Sequence, residues 1–456
     1  VGSPRSINAA VQRIGRAGHW RGAISKGRLF ATTRDELIEL AALCRAIKSG
    51  DLDRLIVPDK PLDILAQQII AMCAVEDWKA NELLSVIKRA YPYNHLSKKE
   101  YRSIINMLAE GISTRRGRYG SYLMHDQVND RLKGRRGARL AAITSGGAIP
   151  ESNLYQVIVE PEGTIIGTLD EDFAIECNKG DIILLGNSSW RFRRVENASG
   201  RVLVEDAHGA PPTVPFWLGE GLSRTAELSR QVSELRQIVS DMTLTPQPTG
   251  AINWLLQECM VDQSGAEQII EYIIEGRKIL NAVPSQSLII AERFFDEGGG
   301  MQLIIHSPFG GRINKAWGLA LRKKFCRSFN FELQAAATDN GLNISLGEQH
   351  SFPVADVFHY LNSDELQDTL VQAVLVSPIF ATRWRWDAIR SLALLRFAGG
   401  KKVPPYIQRL KSDDLLAAVF PAAAACQDNQ IEEIRLPDHP LVEEVMKDVL
   451  TEALDI

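Results

Sequence analysis

The sequence predicts a multidomain α+β protein, and three observations carry that expectation. The chain is 456 residues long, past the ~200–300 residues at which single cores stop growing. Its apolar residues recur at helical spacing over long stretches but alternate in strand fashion between about 140 and 218 and again near 288–344. The apolar share of 45% and charged share of 24% are those of an ordinary globular protein.

In chain order, a short helix is expected from Ile7 to Ala17, then a loop from Gly18 to Gly27 and a strand-like run, Arg28-Leu29-Phe30-Ala31. That is the end of an α/β domain. Helical periodicity starts at Asp35, and the prolines of 53–61 mark an extended linker. Helices near 62–75, 80–89 and 98–110 precede Arg115-Arg116-Gly117-Arg118. Three helices and then a hairpin beginning at the arginines suggest a winged helix, although periodicity alone also fits a three-helix bundle. Alternating runs at 155–159, 164–168 and 182–185, separated by Gly and Asn turns, suggest a small β-barrel. Helices return at 224–242, 251–258 and 265–280. The rear adds strands at 288–292, 301–306, 331–336 and 342–344, a helix at 315–326 and a helical tail.

No run approaches ~18 uninterrupted apolar residues, so no membrane span is expected. Cys44, Cys73, Cys177, Cys259, Cys326 and Cys426 are scattered without a CxxC pair. That argues against a disulfide framework or a zinc site and fits a reducing cytoplasm. The start, Val1-Gly2-Ser3-Pro4-Arg5, is neither an initiator methionine nor a signal peptide and reads as a cut inside a longer protein. Residues 1–150 hold 25 Lys and Arg against 14 Asp and Glu, a balance of +11, which leaves −15 for the remainder. A basic front points to a polyanion held there, or to an uneven spread of solvated charges.

The sharpest motif is Gln12-Arg13-Ile14-Gly15-Arg16-Ala17-Gly18-His19. It matches the QxxGRxG core of motif VI in superfamily 2 helicases. There a planar guanidinium reaches the γ-phosphate of ATP on a facing domain and stabilises transition-state charge. The chain has no GxxxxGK[ST] and no DEAD- or DEVH-like tetrad, so it is not expected to hydrolyse ATP by itself.

From this motif onward the chain resembles the bacterial large helicase-related (Lhr) family. The likeness runs through Ser25-Lys26-Gly27, Pro61-Leu62-Asp63-Ile64-Leu65-Ala66-Gln67-Gln68, Thr144-Ser145-Gly146-Gly147-Ala148-Ile149-Pro150 and Gly186-Asn187-Ser188-Ser189-Trp190-Arg191. It continues in Pro215 to Gly221, His306 to Arg312, Ala316-Trp317 and Ser377 to Arg383. The resemblance implies the end of a second RecA-like domain over 1–50, a winged helix over 51–125, a β-barrel region over 126–223 and a family-specific rear domain over 224–456. It implies ATP with Mg2+, bound mainly by domains upstream. It also implies 3′-to-5′ translocation on single-stranded DNA that displaces DNA or RNA–DNA duplexes, away from any membrane. Arg16 would then be the arginine finger, with Arg13, Gln12 and Gly15 lining the nucleotide cleft. His19 stands where many relatives carry a second arginine.

The second constellation is Arg115 to Arg139. Arg115, Arg116, Arg118, Arg131, Lys133, Arg135, Arg136 and Arg139 face only Asp126 and Asp130, with Tyr119 and Tyr122 interleaved. Cations for phosphates and rings for bases are what a single-strand channel requires. Trp190 and Trp317 are candidate stacking residues, or core residues. Arg383-Trp384-Arg385-Trp386 is a cation–aromatic run, or a surface on which long side chains snorkel. A non-catalytic winged-helix and barrel binding module is the rival function, but such a module has no use for an arginine finger.

Overall fold

The computed structural model describes residues 2–18, 22–150, 153–186, 188–210, 222–244, 249–295, 300–329, 333–346, 352–424 and 433–456. His19, Asn187 and the 215–221 run lie outside the described residues. The chain packs into two compact units, each assembled from separate segments. One comprises 1–56, 221–370 and 454–456, the other 57–220 and 371–453.

In the first unit, helices Ile7–Gly15, Arg34–Ser49, Ala226–Met242, Thr249–Glu258 and Gln263–Leu280 share one core built on Ile38, Leu43, Leu228, Leu235, Leu255 and Ile269. Thr33 caps the second helix by accepting the Glu36 N–H, and Gly50 ends it with a left-handed φ of 79°. The strand expected at Arg28–Ala31 does not form. Leu29 and Ala31 lie against the helical core while Phe30 is 74% exposed. The alternation is real, but the segment has no strand to pair with and instead lies across helices.

The rear of this unit is an antiparallel sheet ordered Ile290–Phe295, Met301–His306, Gly341–Leu346, Leu333–Thr338. Helix Gly311–Phe329 covers it through Leu321 and Phe325. A buried arginine, Arg224, ties these parts together. Its guanidinium donates to Glu39 Oε2 (3.2 Å), to the Asp339 carbonyl (3.0 Å) and to Asn340 Oδ1 (2.8 Å). Burial lowers its affinity for a proton, and Glu39 opposes that.

The second unit contains the winged helix, with its helices at Leu62–Cys73, Ala80–Ile87 and Lys98–Glu110. The last begins at a capping box of Ser97 and Glu100. The wing differs from expectation. Trp78–Lys79 pairs with Arg131–Gly134, which pairs with Leu123–Asp126, so the wing turn is 127–130 and the domain runs past residue 125. Arg115 and Arg116 instead form the tip of a separate small hairpin, Ile112–Thr114 with Gly117–Tyr119. Leu132 explains the choice, because that strand buries it in the helical core beside Leu123. Leu392, from far along the chain, completes the same core.

The β region, expected as a small barrel, is a five-stranded half-barrel sheet. Its order is Thr164–Asp170, Leu154–Val159, Arg201–Asp206, Ser188–Glu196, Ile182–Leu185. Leu154–Val159 pairs in parallel with Arg201–Asp206, and this sends the strands on either side of the helix Glu171–Glu176 to opposite edges. Those edges approach only through side chains, with Leu185 lying 3.2 Å from where a Cβ on Gly167 would sit.

Helices Pro378–Arg390, Pro405–Val419 and Pro440–Asp448 finish the unit around buried charge. Arg390 meets Asp63 (2.5 Å), Asp448 (2.5 Å) and Asp387. Nearby Glu444 accepts the Leu62 N–H (2.8 Å) and pairs with Lys447 (2.7 Å). Burial pushes Glu444 up to about 8, Lys447 opposing and Asp63 adding to the rise. Such a carboxyl keeps its proton when folded and loses it when unfolded. Its stabilisation is therefore full below the ordinary carboxyl range and is lost as pH rises through 8. The free energy of unfolding should fall across that window by at most about 1.4 kcal/mol per pH unit from this group. Glu444→Gln should flatten the dependence, and an unchanged slope would mean that another group sets it.

Candidate nucleotide-facing helix and nucleic-acid interface

The helix Ile7–Gly15 is short and amphipathic, and that places its functional residues. Ser6 caps it, Oγ accepting the Ala9 N–H at 3.1 Å. Ile7 and Ala10 are buried, and Ile14 occupies the space that a Cβ on Gly27 would need, 2.6 Å away. Gln12, Arg13, Gly15 and Arg16 therefore fall on the exposed side. Among the described residues neither Arg13 nor Arg16 pairs with a carboxylate, and both stand at the helix C-terminus, where the dipole favours cations. Gly18 takes a left-handed φ of 68°, with the Ala23 Cβ 3.2 Å from where its own Cβ would lie.

Sequence reading treated Asp53 only as the start of a linker. The structure gives it four hydrogen bonds. Oδ2 accepts from Ser6 Oγ (2.7 Å) and the Asn8 N–H (2.8 Å), Oδ1 from Thr225 Oγ1 (2.6 Å), and its carbonyl from Asn8 Nδ2 (3.0 Å). Nothing in the charged run Asp51 to Lys60 singles out Asp53 for this role.

The basic constellation divides on inspection. Arg115, Arg116, Arg118, Arg135 and Arg136 are all exposed, but Arg135 is also committed to structure: Nε donates to the Leu123 carbonyl (2.6 Å) and Nη2 to that of Ala109 (3.0 Å). Tyr122 packs against the winged-helix core, and burial raises its hydroxyl pKa. Tyr119 stays half-buried beside Arg118. A cleft of about 280 Å³ opens here, lined by Arg118, Tyr119, Tyr122, Arg135 and Lys411. Lys411 is a cation that sequence reading missed, because it lies on the Pro405–Val419 helix, far along the chain. Gly120 permits the approach: its φ is 71°, and a Cβ there would stand 3.4 Å from the Ala393 Cα.

Trp190 is half-buried against the half-barrel core, and its indole N–H donates to the Leu185 carbonyl at 3.3 Å. Trp317 is likewise half-buried, against the rear sheet. The Arg383–Trp386 run is internal. Trp384 is 1% exposed and donates to the Ser412 carbonyl (3.1 Å). Arg383 stands 5.1 Å over the Trp386 ring and pairs with Glu452 at 2.7 Å. Arg385 pairs with Asp172 at 3.0 Å. It is neither a snorkelling surface nor a strand-binding face.

Among the described residues no group of three or more His, Cys, Asp and Glu could hold a metal ion. No described helix is long and apolar enough to cross a membrane.

Two family models match, the winged helix domain of the large helicase-related protein over 45–214 and the DEAD/H-associated domain over 283–456. The chain is 31% identical over all its length to a Lhr helicase/probable uracil glycosylase of Mycolicibacterium smegmatis, covering 29% of that protein. It is 29% identical, again over all its length, to the ATP-dependent helicase Lhr-Core protein 2 of Thermococcus barophilus, covering 51% of it. The solved structure of Mycobacterium smegmatis helicase Lhr bound to ssDNA and AMP-PNP matches all of the chain with a TM-score of 0.76 and 27% identity. The chain covers 51% of that structure. It thus spans about half the length of the Lhr-Core relative and under a third of the bacterial one.

Proposed function

The chain belongs to the large helicase-related (Lhr) family, and from that premise we propose that it is the accessory, nucleic-acid-binding half of an ATP-dependent helicase. The parent protein would translocate 3′-to-5′ on single-stranded DNA and displace DNA or RNA–DNA duplexes in the cytoplasm. The observation that carries this is the pair Arg13 and Arg16, exposed and paired with no carboxylate among the described residues, on a helix whose other face is buried. A phosphate is the partner such guanidinia fit. Arg16 stabilises charge on the γ-phosphate, while Arg13 and Gln12 line the cleft. ATP with Mg2+ supplies the phosphoryl group and its counter-charge, held mainly by domains outside these residues.

Strand contact falls to the Arg115–Arg118 hairpin, Arg136 and the cleft beside Arg118, with Arg135 as its brace. Trp190 and Trp317, each half-buried in its own unit, are candidates for stacking on bases. The 456-residue polypeptide should bind single strands yet show no nucleic-acid-stimulated ATPase, because it carries no phosphate loop. Turnover by the purified polypeptide would refute this. Glutamine at Arg115, Arg116, Arg118 and Arg136 should flatten the dependence of log affinity on log salt, by ~0.7 per lost phosphate contact. An unchanged slope would move the strand elsewhere.

A further inference from the structure

We propose that Asp53 is a positioning residue for ATP hydrolysis. It anchors the nucleotide-facing helix and the rear helix Ala226–Met242 to one carboxylate, and so fixes where Arg13 and Arg16 stand. The inference rests on reading Arg16 as the finger. Helix Ile7–Gly15 has nine residues and only Ile7 and Ala10 fully buried. A helix so short has little stability of its own. Arg13 and Arg16 sit ~9 and ~13 Å from its start, so a tilt of a few degrees there displaces Arg16 by ~1 Å. Misplacement on that scale costs ~100-fold in rate in well-organised sites.

The start of the helix is where the anchoring is concentrated. Asp53 binds Ser6 and Asn8 on one side and Thr225 on the other. Ser6 and Thr225 are the N-cap residues of the two helices. The carboxylate thus lies at two helix N-termini at once, where both dipoles favour negative charge. A second bond, from the Thr225 N–H to the Arg5 carbonyl (2.9 Å), closes the clasp. Arg5 reaches Asp339 Oδ2 at 2.8 Å, whose other oxygen takes the N–H groups of Arg224 and Gly311. The rear sheet's covering helix, which begins at Gly311, is therefore tied into the same clasp.

The test is a double-mutant cycle in the full-length protein containing this chain. Asp53→Asn should lower kcat for ATP about tenfold or more, with KM for ATP nearly unchanged. In an Arg16→Ala background it should cost nothing further. An undiminished kcat, or the same fold-loss in both backgrounds, overturns the proposal. If Asp53→Asn does not fold, Thr225→Val cuts one arm alone and should give a few-fold loss of kcat that again vanishes with Arg16→Ala. Equal losses in both backgrounds there would likewise overturn it. If Arg16→Ala leaves turnover intact, the finger reading fails and this inference with it. If Arg16→Ala is severe but Asp53→Asn is silent, only the anchor is lost.

Discussion

Arg16→Ala in the full-length protein should cut ATP turnover by a factor on the order of 10³, the loss typical of an arginine finger. That corresponds to ~4 kcal/mol of transition-state stabilisation. The structure supplies the reasons for a clean result. Arg16 is exposed, and only its backbone N–H, bonded to the Arg13 carbonyl, contributes to the helix end. Folding and the melting temperature should therefore be unaffected. Single-strand affinity should also hold, since the basic hairpin belongs to the other compact unit. Steady-state turnover alongside a binding isotherm decides it. Near-normal turnover would falsify the assignment of Arg16.

Arg390→Leu should destabilise its unit by ~3–5 kcal/mol, because removing one partner of a buried ion cluster strands the rest. Asp63, Asp387 and Asp448 would keep their burial and lose their shared cation. Burial already drives Asp387 well above the usual carboxylate range, with Asp448 and Asp63 adding to it. Burial works to lower the Arg390 pKa, and the three carboxylates outweigh it. Arg383, 3.6 Å from Asp448, can compensate only that one neighbour. For a unit of this size the melting midpoint should drop on the order of 10 °C. Adding Asp387→Leu should recover part of the loss, since a buried pair replaced by apolar groups is often close to neutral. A single-mutant effect below ~1 kcal/mol would show that water reaches the cluster.

Local chemistry made much of the fold legible. The helix Lys98–Glu110 follows from Ser97 and Glu100, and the strands Ile182–Leu185 and Met301–His306 follow from alternation and turns. Gln12, Arg13, Gly15 and Arg16 stood out in the sequence because they lie close together in one ordered string. Everything set by a distant partner was hidden. Leu132 moved the wing, and the parallel pairing of Leu154–Val159 with Arg201–Asp206 opened the barrel. Arg383 and Arg385 looked like surface cations until Glu452 and Asp172 enclosed them. Lys411 and Asp53 were invisible for the same reason, since their roles rest on residues far along the sequence.

The interleaved segments of the two units have a consequence for synthesis. A ribosome finishes the winged-helix segment long before it reaches the helices Pro378–Arg390 and Pro440–Asp448 that complete that unit. At ~5–20 residues per second, the intervening stretch of about 240 residues takes on the order of tens of seconds to emerge. During that interval Asp63 waits for Arg390, and the slot that Leu392 fills stays open to water. The nascent chain therefore exposes that slot and those acids over a defined window, which closes once the helix Pro440–Asp448 has left the exit tunnel.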